Sequence, residues 1–305
     1  MNTPHQARIV EVGPRDGLQN EQQTVTTDTK LELIDRLADA GLRAIESASF
    51  VSPKWVPQMA DHADLMQRLV RKPGVSYPVL TPNLKGFEAA LAAGATEVAV
   101  FAASSESFSQ KNINCSIAES IARFDPVFAA AREHGIKVRG YVSCVVACPY
   151  EGPIAPQAVA DVSRALYERG AYEISLGDTI GTGTPSSVER MLDAVARIVP
   201  VDRMAGHYHD TYGMAVANVD ASWRFGLRTF DSSISGLGGC PYAKGATGNV
   251  ATEDVVYLLQ GLGADTGIDL DALVDTSQWI SDRLGRAPGS RVARAMLAKR
   301  AAMTA

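Results

Sequence analysis

Length, composition and charge narrow the class of protein before any motif is considered. The chain has 305 residues, of which 46% are hydrophobic, and its formal net charge is −5, so it is long enough to bury a large core. Its 29 Lys and Arg residues are scattered among 34 Asp and Glu residues, a pattern that argues against nucleic acid as a partner. Because it has neither the roughly 20-residue apolar stretch of a membrane span nor a signal-like start, we expect a cytoplasmic protein with no membrane partner.

Eight short apolar segments rich in β-branched residues are predicted to be strands: Ile9–Val12, Ala44–Ser49, Ser76–Leu80, Glu97–Ala103, Lys137–Val145, Glu173–Leu176, Met204–Tyr208 and Thr229–Ile234. Between them, apolar residues recur at helical spacing in Thr29–Ala40, Leu84–Ala93, Ile117–His134, Pro156–Arg169, Pro185–Val199 and Ala215–Phe225. Strict alternation of strands and helices implies a parallel sheet.

The number of these units predicts an α/β fold, a (β/α)8 TIM barrel over about residues 7–262. An open doubly wound sheet fits less well, because no GxGxxG follows the first strand. The remaining segment, about residues 263–305, is helical in pattern and then basic and alanine-rich. We therefore predict one domain over residues 1–305, with a short C-terminal helical extension packed on the barrel.

The four cysteines are Cys115, Cys144, Cys148 and Cys240. They show no paired zinc-ribbon spacing and are too few to form a structural framework, so we expect free thiols. Cys144 and Cys148 form either a redox or metal pair or two buried thiols in an apolar run. The apolar surroundings favour the buried thiols.

Ionisable residues lie in or just after the predicted strands, near the ends where a TIM barrel carries its reacting groups. Arg15 and Asp16 follow the first strand, Glu46 lies in the second, Asp178 ends the sixth, and two histidines close the seventh. His207 and His209 are one residue apart in an extended segment, so their side chains lie on one face of the strand. Alone, they are as readily structural histidines as metal ligands. The other polar residues of the same rim favour a metal.

Asp16 and Asn249 would add oxygen ligands to these two imidazoles. Mixed oxygen and imidazole sets suit Mg²⁺ or Mn²⁺ better than thiolate-binding ions. The alternative for Asp16 is a turn carboxylate paired with Arg15.

The segment from Gly236 to Asn249 contains five glycines in fourteen residues, which predicts a mobile lid. A plain flexible connection is the alternative, but Cys240, held between a glycine and a proline at the active rim, favours a functional loop. Three lysines in predicted loops after strands are candidates for binding coenzyme A phosphates, although each singly is better explained as a solvated surface residue: Lys54, Lys85 and Lys111. We assign Glu11, inside the first strand, to structure.

Over nearly its whole length the chain resembles the 3-hydroxy-3-methylglutaryl-CoA lyase family, in the segments Val10–Glu21, Ser49–Met59, Tyr77–Gly86, Gly177–Gly181 and Gly238–Ala243. Arg15-Asp16 and His207-x-His209 alone would indicate only the wider group of metal-dependent barrel lyases and condensing enzymes. The Gly-Gly-Cys-Pro-Tyr loop narrows the resemblance to the lyase.

The resemblance implies a divalent-metal-dependent carbon–carbon lyase that cleaves 3-hydroxy-3-methylglutaryl-CoA to acetyl-CoA and acetoacetate, as in leucine degradation. We also expect a homo-oligomer, a dimer. The resemblance implies metal ligands at Asp16, His207, His209 and Asn249, and catalytic or substrate-facing roles for Arg15, Glu46, Asp178 and Cys240, with either Asp178 or His207 relaying the hydroxyl proton. Departures are few: Tyr208 lies between the histidines, the loop carries Lys244, and the alanine-rich tail has no terminal cysteine. The tail argues against the thiol regulation of animal members.

Three alternatives stay open on the sequence. One is a lyase for a larger branched 3-hydroxyglutaryl-CoA. The second is a synthase that condenses acetyl-CoA with a 2-oxo acid, although such enzymes usually carry further C-terminal domains. The third is a non-catalytic barrel that binds an acyl-CoA.

Overall fold

The computed structural model describes residues 5–239 and 248–304. Its strands are β1 Arg8–Glu11, β2 Ala44–Ile45, β3 Ala48–Ser49, β4 Val79–Leu80, β5 Glu97–Ala103, β6 Lys137–Ser143, β7 Ala147–Cys148, β8 Gly152–Pro153, β9 Ile174–Asp178, β10 Met204–Tyr208 and β11 Thr229–Ser232. Its helices are α1 Thr27–Asp39, α2 His62–Arg68, α3 Leu84–Ala92, α4 Glu106–Ile113, α5 Ile117–Ala122, α6 Asp125–His134, α7 Pro156–Glu168, α8 Pro185–Ala196, α9 Ala215–Phe225, α10 Thr252–Gly261, α11 Leu270–Arg283 and α12 Arg291–Thr304.

The main sheet is parallel and closes on itself. Its strand order is β2-β1-β11-β10-β9-β6-β5-β4-β3, and its two ends are consecutive pieces of one interrupted strand. Between the pieces, Glu46 N donates to Glu11 O at 2.8 Å on one side, and Ser47 N donates to Pro78 O at 3.0 Å on the other. Because β2 and β3 are two pieces of one strand, the nine segments form the eight strands of a closed barrel. This confirms the predicted TIM fold.

Three helices of the described structure were not predicted, α2, α4 and α10, and one predicted helix is divided. The predicted helix Ile117–His134 is two helices, α5 and α6, and Pro126 occupies the first turn of α6, where proline is tolerated because its missing N–H has no partner there anyway. The polar helices α2 and α4 lack the apolar spacing on which the predictions relied. Strand β6 ends before Cys144, which has a φ of +60°, outside the extended region.

Alternate residues of each strand face opposite sides of the barrel wall. In β5, Val98, Val100 and Ala102 belong to the large core between the sheet and the helices, whereas Ala99 packs in a separate cluster with Leu80 and Tyr141. The inward positions of β6, β9, β10 and β11 are mostly polar: Arg139, Tyr141, Ser175, His207 and Asp231. Hydrogen-bonding side chains therefore line this half of the barrel interior.

The C-terminal helices α11 and α12 pack against α1 and α10. Just before α12, Gly289 N donates to Ser235 O at 3.1 Å, and Ser290 Oγ donates to Asp254 Oδ1 at 2.7 Å. The extension thus contacts the chain on both sides of the glycine-rich segment, at Ser235 and Asp254. That residues 1–305 form one domain stays a prediction. Among the described helices, none combines the length and apolar character needed to cross a bilayer.

Candidate active site

A tight turn over Gly13–Gly17, directly after β1, places Arg15 and Asp16 at the rim of the barrel. The turn is fixed by Glu11, whose Oε1 accepts from Gly13 N at 2.7 Å and from Ile234 N at 2.9 Å. A Cβ on Gly17 would lie 2.6 Å from Ser233 Oγ, so this close approach requires glycine. Glu11 accordingly connects β1, the Arg15 turn and the segment after β11.

Asp16, His207 and His209 come together although β1 and β10 are far apart in sequence. One possible ligand atom from each residue lies within 4.8 Å of the others, and the two imidazole centroids are 5.5 Å apart. Burial would raise the pKa of Asp16, but Arg15 and the two histidines outweigh it and lower that pKa to about 2. The carboxylate is therefore ionised.

His209 is available as a neutral ligand. Burial, reinforced by the neighbouring His207, lowers its pKa to about 4. Its Nδ1 is buried and has no hydrogen-bond partner among the described residues, which is costly for a polar atom unless a ligand completes it. The donor set of this cluster, one carboxylate and two imidazoles, fits a divalent cation.

Asn249 lies beside the cluster, on a bridge to His209. Its Nδ2 donates to Asp16 Oδ2 at 2.8 Å and to Leu237 O at 3.3 Å. In this orientation the amide nitrogen, rather than the oxygen, faces Asp16. Asn249 therefore lies beside the two histidines and Asp16, where the sequence analysis expected it. Its side-chain contact within this cluster is with Asp16.

Arg15 is a buried cation between two carboxylates. Its Nη1 lies 2.7 Å from Asp16 Oδ1, and its Nη2 lies 2.7 Å from Glu46 Oε2. Burial opposes the charged form, but Glu46 and Asp16 outweigh it and raise the pKa of Arg15. Tyr141 lies alongside, with its ring centroid 5.7 Å from Arg15 Cζ.

Asp178 ends β9 and is paired in register with Tyr208, between the two histidines. Its Oδ2 accepts from Gly183 N at 2.7 Å, and its Oδ1 accepts from Thr182 N at 3.3 Å. Burial raises its pKa to about 6. This carboxyl group is therefore able to exchange a proton near neutral pH.

Two charged residues of the site, Asp231 and Arg139, were not identified from the sequence. Asp231 Oδ2 lies 3.1 Å from His207 Nδ1, and Arg139 donates to both oxygens of Asp231, at 2.9 and 2.7 Å. Both residues lie inside strands. The available signal was a charged residue at an inward position of a buried strand, where a partner is required.

The three lysines proposed for coenzyme A are exposed. Lys54 lies in a turn after β3, but Lys85 and Lys111 lie in α3 and α4 rather than in loops. Lys111 Nζ is 4.0 Å from the centroid of the Tyr150 ring.

Cys115, Cys144 and Cys148 are buried and form no disulfide, as the interpretation of Cys144 and Cys148 as buried thiols predicts. Cys240 and Lys244 lie outside the described residues. The side chain of Asn20 donates to Gly239 O at 2.8 Å, just before the undescribed segment.

The fold and this rim cluster define a TIM-barrel protein with an enzyme-like polar site. The chain belongs to the HMGL-like family, whose profile matches residues 6–280, and this confirms the family resemblance. It is 60% identical to the 3-hydroxy-3-isohexenylglutaryl-CoA/hydroxy-methylglutaryl-CoA lyase of Pseudomonas aeruginosa, over 98% of this chain and 100% of that protein. It is 59% identical to the mitochondrial hydroxymethylglutaryl-CoA lyase of Bos taurus, over 96% of this chain and 90% of that one.

Two solved structures are similar throughout. The hydroxymethylglutaryl-CoA lyase of Pseudomonas aeruginosa has a TM-score of 0.95 at 60% identity, covering 98% of this chain and 100% of that one. An HMG-CoA lyase of Acinetobacter baumannii, in complex with coenzyme A and 3-methylmalate, has a TM-score of 0.92 at 35% identity. The match covers 97% of this chain and 96% of that one.

Proposed function

We propose that this chain is a carbon–carbon lyase that cleaves 3-hydroxy-3-methylglutaryl-CoA to acetyl-CoA and acetoacetate. The observation that carries the proposal is the cluster of Asp16, His207 and His209, within 4.8 Å of one another, directly beside the buried cation of Arg15. Relatives that match over their full length bear the name of this activity. A non-catalytic barrel would not need such a cluster.

We assign Asp16, His207, His209 and Asn249 as ligands of a divalent cation, Mg²⁺ or Mn²⁺. The ionised Asp16 and the neutral, unpartnered Nδ1 of His209 support the assignment. When bound, the cation would polarise the substrate hydroxyl group and lower its pKa. Asn249, through its contact with Asp16, also holds that carboxylate in place.

Arg15 is assigned to the thioester end of the substrate. Cleavage leaves negative charge on the thioester oxygen as an enolate, and a guanidinium held rigidly by two carboxylates stabilises such charge without having to reorganise. Glu46 orients Arg15 through the contact of its Oε2 with Nη2. A fixed cation of this kind contributes several kcal/mol to the transition state.

Of the two residues expected to relay the hydroxyl proton, we assign the carboxyl group of Asp178, because His207 is assigned above as a metal ligand. Asp178 has a pKa of about 6 and three neighbouring backbone N–H groups that stabilise its ionised form, so both its protonation states are accessible near neutral pH. Cys240 is assigned, from the sequence, to the glycine-rich loop that closes over the substrate and protonates the acetyl-CoA enolate.

Acyl-CoA is the proposed small-molecule partner, with Lys54, Lys85 and Lys111 as candidates for its phosphates. Their exposure supports access to a ligand. The bovine relative is named mitochondrial, so a cytoplasmic location stays a prediction. Dimer formation and a place in leucine degradation stay predictions as well.

The test is release of acetoacetate from 3-hydroxy-3-methylglutaryl-CoA by the purified protein after chelation, and again after Mg²⁺ or Mn²⁺ is restored. We expect no release with chelator and recovery with either ion. Activity that persists after complete removal of metal would overturn the metal assignment. Inactivity under every condition would overturn the substrate assignment and direct attention to larger thioesters and to the condensing reaction.

A second candidate substrate is a larger branched 3-hydroxyglutaryl-CoA. The name of the Pseudomonas aeruginosa relative joins the isohexenyl and methyl substrates in one protein, which favours a pocket that accepts both. Assays with 3-hydroxy-3-isohexenylglutaryl-CoA and the methyl compound separate the two candidates by their kcat/KM values.

A further inference from the structure

A line of buried charged residues crosses the barrel interior behind the candidate metal ligands. It runs from His207 on β10 to Asp231 on β11, then to Arg139 on β6 and Glu173 just before β9. His207 and Asp231 are register partners on adjacent strands, so backbone pairing as well as side-chain contact holds them together. All four residues are at most 9% exposed.

The carboxylate of Asp231 is saturated with donors. Its Oδ2 accepts from Ser175 Oγ at 2.7 Å and from Arg139 Nη1 at 2.9 Å, and lies 3.1 Å from His207 Nδ1. Its Oδ1 accepts from Arg139 Nη2 at 2.7 Å. An ionised carboxylate only accepts hydrogen bonds, so the nitrogen of His207 that faces it must carry the proton.

That contact decides which nitrogen of His207 is left for an ion. With the proton on Nδ1, the neutral ring has its lone pair on Nε2. Arg139 donates to both oxygens of Asp231, and this bidentate contact prevents the carboxylate from rotating away from His207. His207 is thereby restricted in both ring orientation and tautomer.

We propose that Asp231 is a positioning residue that presents Nε2 of His207 to the metal ion, and that Arg139 fixes Asp231 for this purpose. The inference rests on the metal site of the proposed function. Partners of this kind raise the basicity of a ligating imidazole as well as orient it, and their loss typically costs 10- to 100-fold in metal affinity.

Glu173 provides a matched control in the same ion-pair line. Its Oε1 accepts from Arg139 Nε at 2.7 Å and from Arg8 Nη1 at 3.1 Å. It therefore shares Arg139 with Asp231 but lies on the far side of that arginine from His207. A purely structural role for the buried charges would make the two carboxylates equivalent.

The experiment compares Mn²⁺ affinity of the wild-type protein, Asp231→Asn and Glu173→Gln by titration followed with electron paramagnetic resonance, and thermal unfolding of each. We expect Asp231→Asn to bind Mn²⁺ about 10- to 100-fold more weakly, and Glu173→Gln to bind like wild type even if its melting temperature falls. Wild-type affinity in Asp231→Asn, or equal weakening in both variants, would overturn the role of Asp231. Failure of the wild-type protein to bind Mn²⁺ would instead overturn the metal site itself.

A second measurement keeps the proposal testable if Asp231→Asn does not fold. The chain has only five histidines, so nitrogen-15 NMR of histidine-labelled wild-type protein with Mg²⁺ can report the tautomer of each ring. We expect His207 to carry its proton on Nδ1. A proton on Nε2 would contradict the proposal directly.

Discussion

Two nitrogens of Arg15 contact the same oxygen of Glu46: Nε and Nη2 both lie 2.7 Å from Glu46 Oε2. The other oxygen of Glu46, Oε1, is buried without a hydrogen-bond partner in the described part of the chain. The guanidinium is therefore locked while one carboxylate oxygen keeps its capacity to accept a hydrogen bond. Such an arrangement suits a cation that must keep its direction when a substrate arrives.

The first prediction concerns Arg15→Lys. Lysine keeps the positive charge but cannot reproduce the planar contacts to Asp16 and Glu46. If Arg15 stabilises the enolate, kcat should fall by about 10²- to 10³-fold, with Mn²⁺ affinity little changed. Steady-state kinetics on 3-hydroxy-3-methylglutaryl-CoA provide the measurement. Arg36→Lys, in an exposed pair with Glu32, is the matched control, and equal kcat values for the two variants would remove Arg15 from the reaction.

The second prediction concerns His209→Ala. Its Nδ1 has no other partner in the described structure, so the variant loses a metal ligand and little else. Mn²⁺ affinity should fall by at least about 100-fold, beyond the usual cost of losing an outer partner. Calorimetric titration measures it, with His134→Ala on the exposed end of α6 as the control. Unchanged affinity in His209→Ala would show that the ion binds elsewhere.

The third prediction concerns Cys240→Ser. The role of Cys240 rests on the sequence and on the position of Gly239, which is held by Asn20 at the rim. A serine hydroxyl is a far weaker acid than a thiol, so kcat should drop sharply if the thiol protonates the enolate. Mn²⁺ affinity in the same preparation is the internal control and should stay at its wild-type value. Near-normal turnover of Cys240→Ser would exclude the thiol from the reaction.

The sequence predicted the barrel well because a parallel sheet leaves a strong local pattern: buried apolar strands that alternate with amphipathic helices. It also predicted which rim residues come together, since Asp16, His207 and His209 all lie at or just after the carboxyl ends of strands. It did not predict the pairing of His207 with Asp231 or of Asp231 with Arg139. Those contacts depend on strand register and on the inward pleat, which no local spacing records.

Helix boundaries show the same distinction between local and tertiary signals. The predicted start of α8 at Pro185 is correct, because a proline in the first turn of a helix is a local signal. Helix α4 was missed: its sequence is polar, and only Phe108 and Ser109 are buried. Its stability depends on packing against the barrel rather than on its own apolar pattern.

The last prediction concerns Glu253→Gln and the pH dependence of stability. Glu253 lies inside the protein at the start of α10, and both its oxygens accept from Ser235 N, at 3.1 and 3.0 Å. Burial raises its pKa from 4.5 to about 8, so the folded protein holds a proton there that the unfolded chain releases. This contribution to stability is fully present below pH 4.5 and is lost as the pH rises through the folded-state pKa.

Glutamine keeps an oxygen that can accept from Ser235 N but has no proton to lose. Denaturant unfolding at about pH 6 and about pH 9 should therefore show the free energy of unfolding of Glu253→Gln rising relative to wild type by on the order of 1 kcal/mol or more. Glu11, whose pKa is raised to about 7 by the same cause, is common to both proteins and largely cancels in the difference. Glu133→Gln, on the exposed side of α6, should show no such pH-dependent gain. A difference in the free energy of unfolding between Glu253→Gln and wild type that does not change with pH would contradict the prediction. It would mean that the buried carboxyl group of Glu253 is already ionised in the folded protein.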